Sequence, residues 1–386
     1  MVMVLKNQPQ CPSLFDRSIP EEPTDEDRRL FFQLVNIELS QEQTDRISNP
    51  ELTYPRQREI LAVHWHPEFV PLELCLSRTH AMFPGLDREL IIPTQHNVLL
   101  NWNGYCGVEV DCYSRAFDQK VQLLLHFDQA NLQDAGILLS MLEHTRKYRA
   151  SQLFDFIETI AAPKQGRLEY AARETGADQD LVTFIQITVR KIKKLLDEHL
   201  DSVPEDMIKN KLLRNFFDGL RPQFGHQVID RAQAFLKTVK QTVKANFSLQ
   251  YFYRTSEIIE EARKHQAGII VPHPEQFWPI LLAEYDVDGY EVWNPQSQRY
   301  TDFLISVVNR KNRELGLSKR RLLIFMGDDT HMGEKVKDPE LQDLDKASRE
   351  IGLQPAWDDL SIRKMLIKAH VSRAGTIDEY LSRLQG

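Results

Sequence analysis

Long apolar runs are missing from this sequence. None approaches the roughly eighteen residues that cross a bilayer, and the opening Met1-Val-Met-Val-Leu-Lys6 is too short for the core of a secretory signal. No membrane association is expected, and the chain reads as cytoplasmic. Cysteine is scarce as well: Cys11, Cys75, Cys106 and Cys112 lack zinc-finger spacing and are too few for a disulfide scaffold in 386 residues, so they read as reduced thiols. An excess of positive charge is also absent. A formal charge of -8 and a pI near 5.9 argue against coating nucleic acid or an anionic membrane by bulk electrostatics, while leaving room for a local basic groove. There is no internal repeat and no low-complexity tract. The 42% apolar content suits one large α/β domain with an insertion, or two domains.

What is present is a recurring construction. Arg321-Leu-Leu-Ile-Phe-Met-Gly-Asp-Asp-Thr-His331 is a short apolar run of strand type that ends abruptly in ligand-like residues. On extended chain residues i and i+2 face the same side, so Asp329 and His331 can converge on one cation. Six further runs are built alike. Ile60-Leu-Ala-Val ends in His64-Trp-His66; Leu90-Ile-Ile-Pro-Thr-Gln ends in His96-Asn97; Gly107-Val-Glu109-Val carries a carboxylate; Val121-Gln-Leu-Leu-Leu ends in His126; Gly268-Ile-Ile-Val-Pro ends in His273-Pro274; and Gly289-Tyr-Glu291-Val-Trp-Asn294 follows. Active sites of parallel α/β proteins form at the carboxyl ends of strands, so these ends are expected to gather into one site. Of twelve histidines, six lie in these runs. His80, His144, His199, His226, His265 and His370 sit in polar or helix-like contexts and read as surface or packing residues.

Around these strands the chain divides into an N-terminal extension over 1–55, a metal-binding barrel over 56–130 and 266–335, a helical insertion over 131–265 and a C-terminal helical segment over 336–386. Thr24 or Asp25 would cap a helix in the extension. In the insertion, Val182, Ile185, Val189, Ile192 and Leu196 keep helical spacing, with Arg190, Lys191, Lys193 and Lys194 toward a solvated face. The stretches 98–106 and 113–120 are short for helical crossovers between parallel strands, which argues for a distorted or smaller barrel rather than a regular eight-fold one.

Imidazoles with a few carboxylates suit Zn, Mn or Fe, and about nine candidate ligands exceed what one tetrahedral ion takes. Two or three ions sharing a carboxylate is the economical reading, and hydrolysis is the chemistry such a cluster supports. Trp65, Trp278 and Trp293 are expected to pack at strand ends rather than stack on a base, and Cys106 and Cys112 to be structural.

The order His64-Trp-His66, Thr94-Gln-His96-Asn97, Gly107-Val-Glu109, His126, His273-Pro274, Glu291-Val-Trp-Asn294 and Gly327-Asp-Asp329-Thr-His331 resembles the PHP (polymerase and histidinol phosphatase) superfamily. The resemblance implies an α/β fold, a distorted seven-stranded (β/α) barrel with a large α-helical insertion. It further implies a two- or three-metal centre that cleaves phosphoesters with a metal-activated water. Carried onto this chain, His64, His66, Glu109 and Asp329 would hold one ion; Glu109, His126 and His273 a second; and His96 and His331 would contribute to a third. A further ligand expected beyond His-x-His falls nearest Glu73, with Glu68 as the alternative. Gln95 stands where the family commonly has aspartate, removing a negative charge beside the site. Gln95 and Glu291 are expected to orient ligands or loops rather than bind metal. The substrate class implied is a phosphorylated small molecule, or a nucleotide or oligonucleotide. The alternative is a non-catalytic or regulatory protein whose metal centre is structural and whose helical insert binds a partner; an amidohydrolase-type activity fits the third-strand carboxylate and the final motif less well.

Overall fold

A computed structural model of the chain describes residues 19–162, 165–315 and 320–386. Cys11 and the start of the expected N-terminal extension lie outside them. The chain folds as two compact units, one of Met1–Asn36 with Ala150–Phe247 and the other of Ile37–Arg149 with Ser248–Gly386. The expected boundaries differ: residues before Asn36 group with the helical unit, and the ends of the expected insertion group with the strands. No helix among the described residues is long and apolar enough to cross a membrane.

The first unit is helical. Its opening helix, Asp25–Val35, starts from a reciprocal capping box in which Thr24 and Asp27 satisfy each other's backbone N–H groups. Helix Gln179–His199 buries Phe184, Ile185, Val189, Ile192, Leu195 and Leu196, close to the expected stripe. Lys191, expected on the solvated face, is instead buried and pairs with Asp27 at 2.9 Å. A lone buried ammonium would be costly, and the carboxylate supplied by the opening helix removes that cost.

Among its described residues the second unit carries ten strands: β1 (Glu59–Ala62), β2 (Trp65–His66), β3 (Arg88–Ile91), β4 (Leu100–Trp102), β5 (Tyr105–Ser114), β6 (Gln119–Asp128), β7 (Gly268–Val271), β8 (Gly289–Trp293), β9 (Leu323–Met326) and β10 (Thr330–His331). They pair as a six-stranded sheet in the order β4-β5-β6-β7-β8-β9, with two-stranded sheets β1-β3 and β10-β2. Single backbone bonds continue the pairing past these ladders. Ile92 N donates to Ala62 O, Thr94 N to Trp65 O, Glu109 N to Gln95 O, Gly327 N to Trp293 O and Asp329 N to His64 O, all at 2.8–3.0 Å. The core between strands and helices is aliphatic and aromatic, with Leu61, Val108, Leu124, Ile270, Val292 and Phe325 fully buried.

The short connections have a simple explanation: β4, β5 and β6 run antiparallel and need no crossover. Asn103 and Gly104 both have positive φ, 51° and 82°, and join Trp102 to Tyr105 as the two-residue hairpin that an Asn-Gly pair favours. Strand β6 is antiparallel to β7 as well, whereas β7, β8 and β9 run parallel. Its direction decides where His126 ends up.

Candidate metal centre

The site is assembled where the chain leaves β1, β3, β7 and β9, with Glu109 supplied from within β5 and Glu291 from within β8. Parallel pairing of β2 with β10 sets His66 opposite His331. The His66 ring then lies between two others, with centroids 4.5 Å from His331 and 4.6 Å from His96. A bridge between His96 and Glu109 fixes the end of β3 against β5.

Three sets of side chains bring their donor atoms within 4.8 Å of one another: His66, His96 and His331; His64, His66 and Asp329; and His64, Glu109 and His273. Glu109 lies between sets, its Oε2 3.5 Å from His66 Nε2 and 2.5 Å from His96 Nδ1, its Oε1 3.5 Å from His273 Nε2. The His96 contact is an ion pair, and neither atom has a further hydrogen-bond partner. His64 Nε2, both ring nitrogens of His66 and His273 Nδ1 are likewise buried without a partner. A buried polar atom left unsatisfied costs about 1–3 kcal/mol, so a cluster of them in one place calls for a ligand. Divalent cations fit this donor set, since imidazole and carboxylate lone pairs aimed at shared points are what they require.

The surrounding residues aim these atoms. Glu291 contacts His64 Nδ1 at 2.5 Å and accepts from the His273 backbone N–H at 2.9 Å. With Nδ1 engaged, His64 presents Nε2 inward, the arrangement that metal-bound imidazoles use. Gly327 makes room for this carboxylate: a Cβ there would stand 2.0 Å from Glu291 Oε1. Asp329 is held by Gln296 Nε2 and Arg349 Nη1, each donating to Oδ2 at 2.8 Å, which leaves Oδ1 3.4–3.7 Å from His331, His64 and His66. His273 and Asp329 have φ of 28° and 47°, strained for non-glycine residues and characteristic of sites held by their surroundings.

The charges are strongly polarised. Burial opposes ionisation of Glu109, yet the facing imidazoles hold it well below the usual carboxylate range. Asp329 behaves the same way through His331, His64 and His66. Burial also opposes a charge on His64, but Glu291, Asp329 and Glu109 together push it up to about 10. His66 is driven down by burial and by its neighbours His331 and His96. The His96 and His331 side chains are 32% and 21% exposed while His64, His66 and Glu109 are sealed, so the centre opens on the His96 and His331 side.

Two expected ligands stand elsewhere. Because β6 runs antiparallel to its neighbours, its C-terminal end lies beside Gly107 and Gly268, at the starts of β5 and β7. His126 there uses both ring nitrogens on protein partners, Tyr380 Oη at 2.7 Å and Val63 O at 2.9 Å, and burial keeps it neutral with a pKa of about 3. His64 takes the place expected for His126 beside Glu109 and His273. Glu73 sits exposed in the first turn of helix Leu72–Met82, away from the cluster. Glu68, the alternative, approaches His331 at 3.7 Å, and Gly333 leaves space for its carboxylate. Gln95 is buried with Oε1 unpartnered. Cys75, Cys106 and Cys112 are buried free thiols, raised by burial to about 12, 11 and 12, and none joins the cluster.

Sequence reasoning missed Arg349 and Gln296, which carry no motif and lie in stretches that read as helix or loop. It also missed the buried Asp111, which accepts from Lys120 Nζ and Arg149 Nη1 at 2.6 Å each and from Asn97 at 3.0 Å. Asn97, next to His96, thereby ties the rim of the site to two partly exposed cations.

No family model matches the chain, and no curated protein matches it significantly in sequence. Among solved structures it is similar to that of a proposed metal-dependent phosphoesterase from Bifidobacterium adolescentis, with 17% identity and a TM-score of 0.40 over 82% of this chain and 98% of that one.

Proposed function

We propose that this chain is a metal-dependent phosphoesterase of PHP type, with two or three divalent ions, Zn, Mn or Fe, held by His64, His66, His96, Glu109, His273, Asp329 and His331. The observation that carries the reading is the convergence of three overlapping sets of largely buried side chains, each with one donor atom within 4.8 Å of the others, drawn from five of the seven motifs. The strands are inferred to form a distorted ring of seven, supported by the backbone bonds that run from β1 through β3, β5, β6, β7, β8 and β9 back to His64.

Ions bound here would supply Lewis acidity and acidify a water molecule enough for it to ionise near neutral pH. The chain's own residues do the rest. Glu109 provides carboxylate oxygens to more than one donor set, and Glu291 fixes the tautomer of His64. Arg349 and Gln296 hold Asp329 Oδ2 so that Oδ1 faces the histidines. Lys120 and Arg149, anchored on Asp111 near His96, place positive charge at the open rim, where a phosphoryl group would approach. The substrate is accordingly a small phosphomonoester or a nucleotide or oligonucleotide end.

The test is hydrolysis of p-nitrophenyl phosphate, bis-p-nitrophenyl phosphate and short oligonucleotides by metal-free protein reconstituted with Mn, Zn or Fe(II). Turnover that depends on added metal and disappears in Asp329→Ala supports the proposal. Stoichiometric metal without turnover on any of these substrates would favour a structural centre in a binding protein, a reading to which Gln95 lends its only specific support.

A further inference from the structure

A cavity of about 810 Å³ opens in the strand-bearing unit beside the N-terminal end of β1, between residues 53–59 and 353–373. None of the candidate metal ligands lines this hollow, which is therefore distinct from the candidate metal centre. Its volume is in the range of pockets that enclose a small organic molecule.

The lining is cationic although the chain is acidic. Arg56, Arg58, Arg363 and Arg373 line it together with Glu59 and Asp358. Arg58 is committed outward, to Asp87 through two bonds of 2.6 Å. Among the described residues, Arg56 and Arg363 have no carboxylate within ion-pairing distance. Arg373 is 8% exposed; it donates Nη1 to Glu59 O at 2.7 Å and Nη2 to Asp358 Oδ2 at 3.4 Å, while its Nε is buried without a partner. The guanidinium lies 5.7 Å from the centre of the Trp357 ring; Trp357 and Leu366 reach the lining from the core, and Ile367 adds an exposed apolar side chain. Arg56 and Arg363 have guanidinium donors uncommitted to carboxylates, and charge-assisted bonds from them to an anion are among the stronger polar contacts available.

We propose that this cavity is a second binding site, for a small organic anion: a phosphate monoester or a carboxylate joined to an apolar body. Arg56 and Arg363 hold the anionic group, and Trp357, Leu366 and Ile367 receive the body. Charge without an apolar body, or a body without charge, leaves half of the lining unused.

The test follows Trp357 by fluorine NMR in full-length protein labelled with 5-fluorotryptophan, its resonance identified by its loss in Trp357→Phe. AMP and octanoate are titrated as the two anion types, with adenosine and octanol as uncharged counterparts and inorganic phosphate as the bare anion. A saturable shift of the Trp357 resonance is expected with AMP, octanoate or both, and at least about tenfold weaker binding of the uncharged counterparts. Binding falls by about tenfold or more in an Arg56→Ala/Arg363→Ala double variant, whose exposed positions leave the fold intact. It is unchanged in Asp329→Ala, which separates this site from the metal centre. A shift with AMP alone identifies a phosphate ester as the ligand class, and one with octanoate alone a carboxylate. The proposal is overturned if neither anion gives a saturable shift, if the double variant binds as well as the parent, or if bare phosphate binds as tightly as the organic anions.

Discussion

Glu291 illustrates how much of this site depends on residues that need not touch an ion. Its carboxylate sets the orientation of His64 and braces the backbone at His273, so Glu291→Gln is expected to weaken metal binding by about 10–100-fold while the protein stays folded, as measured by competition with a metal-sensitive dye. Arg349→Met should do the same through Asp329 and leave Kd for the other ions less affected. The pH dependence follows from His64. In the ion-free protein its proton is retained up to about 10, and an ion must displace that proton to bind. Apparent affinity for Mn or Zn should therefore rise with pH across the neutral range, by up to about tenfold per unit from this group alone. A flat profile between pH 6 and 8 would show that His64 is not displaced. At this scale the clustered histidines and Glu109 were legible in the sequence because each lies at or near the end of a short apolar run. Arg349 and Gln296 were not, because a side chain that arrives from a loop or a distant helix leaves no periodic trace.

Strand direction governs the next level. The positions of the strands were readable from apolar runs and the Gly, Pro and Asn residues between them, but a run of Val121-Gln-Leu-Leu-Leu125 looks the same in either direction. The Asn103-Gly104 pair was the available signal that β4 and β5 form a hairpin, and the short stretch 113–120 was the signal that β6 returns antiparallel. Read together, they would have removed His126 from the ligand set. The bond from His126 to Tyr380 is a packing device, for which Gly268 supplies the space; a Cβ there would stand 2.4 Å from Tyr380 Oη. Tyr380→Phe is thus expected to cost about 1–3 kcal/mol of stability in urea unfolding and to leave metal content and turnover unchanged. Loss of metal from that variant would return His126 to the centre.

For the whole molecule, the unpartnered donors mean that metal and fold are linked. Chelation should lower the thermal midpoint by about 5 °C or more, restored by Mn or Zn but not by Mg at equal concentration. In the helical unit, the buried Lys191–Asp27 pair ties the opening helix to the insertion, and Lys191→Met, which leaves a buried carboxylate without its cation, is expected to cost about 3 kcal/mol. That link was invisible in the sequence, since a lysine beside Arg190, Lys193 and Lys194 reads as part of a solvated face. The central claim, a metal-holding hydrolytic centre built from residues that six strands bring together, is tested most directly by elemental analysis of the purified protein, paired with phosphoester turnover before and after chelation. Two or more equivalents of transition metal, lost with activity on chelation and regained with it on reconstitution, is the predicted result. A protein that takes up no metal on reconstitution, or that turns over equally well without it, would contradict the account.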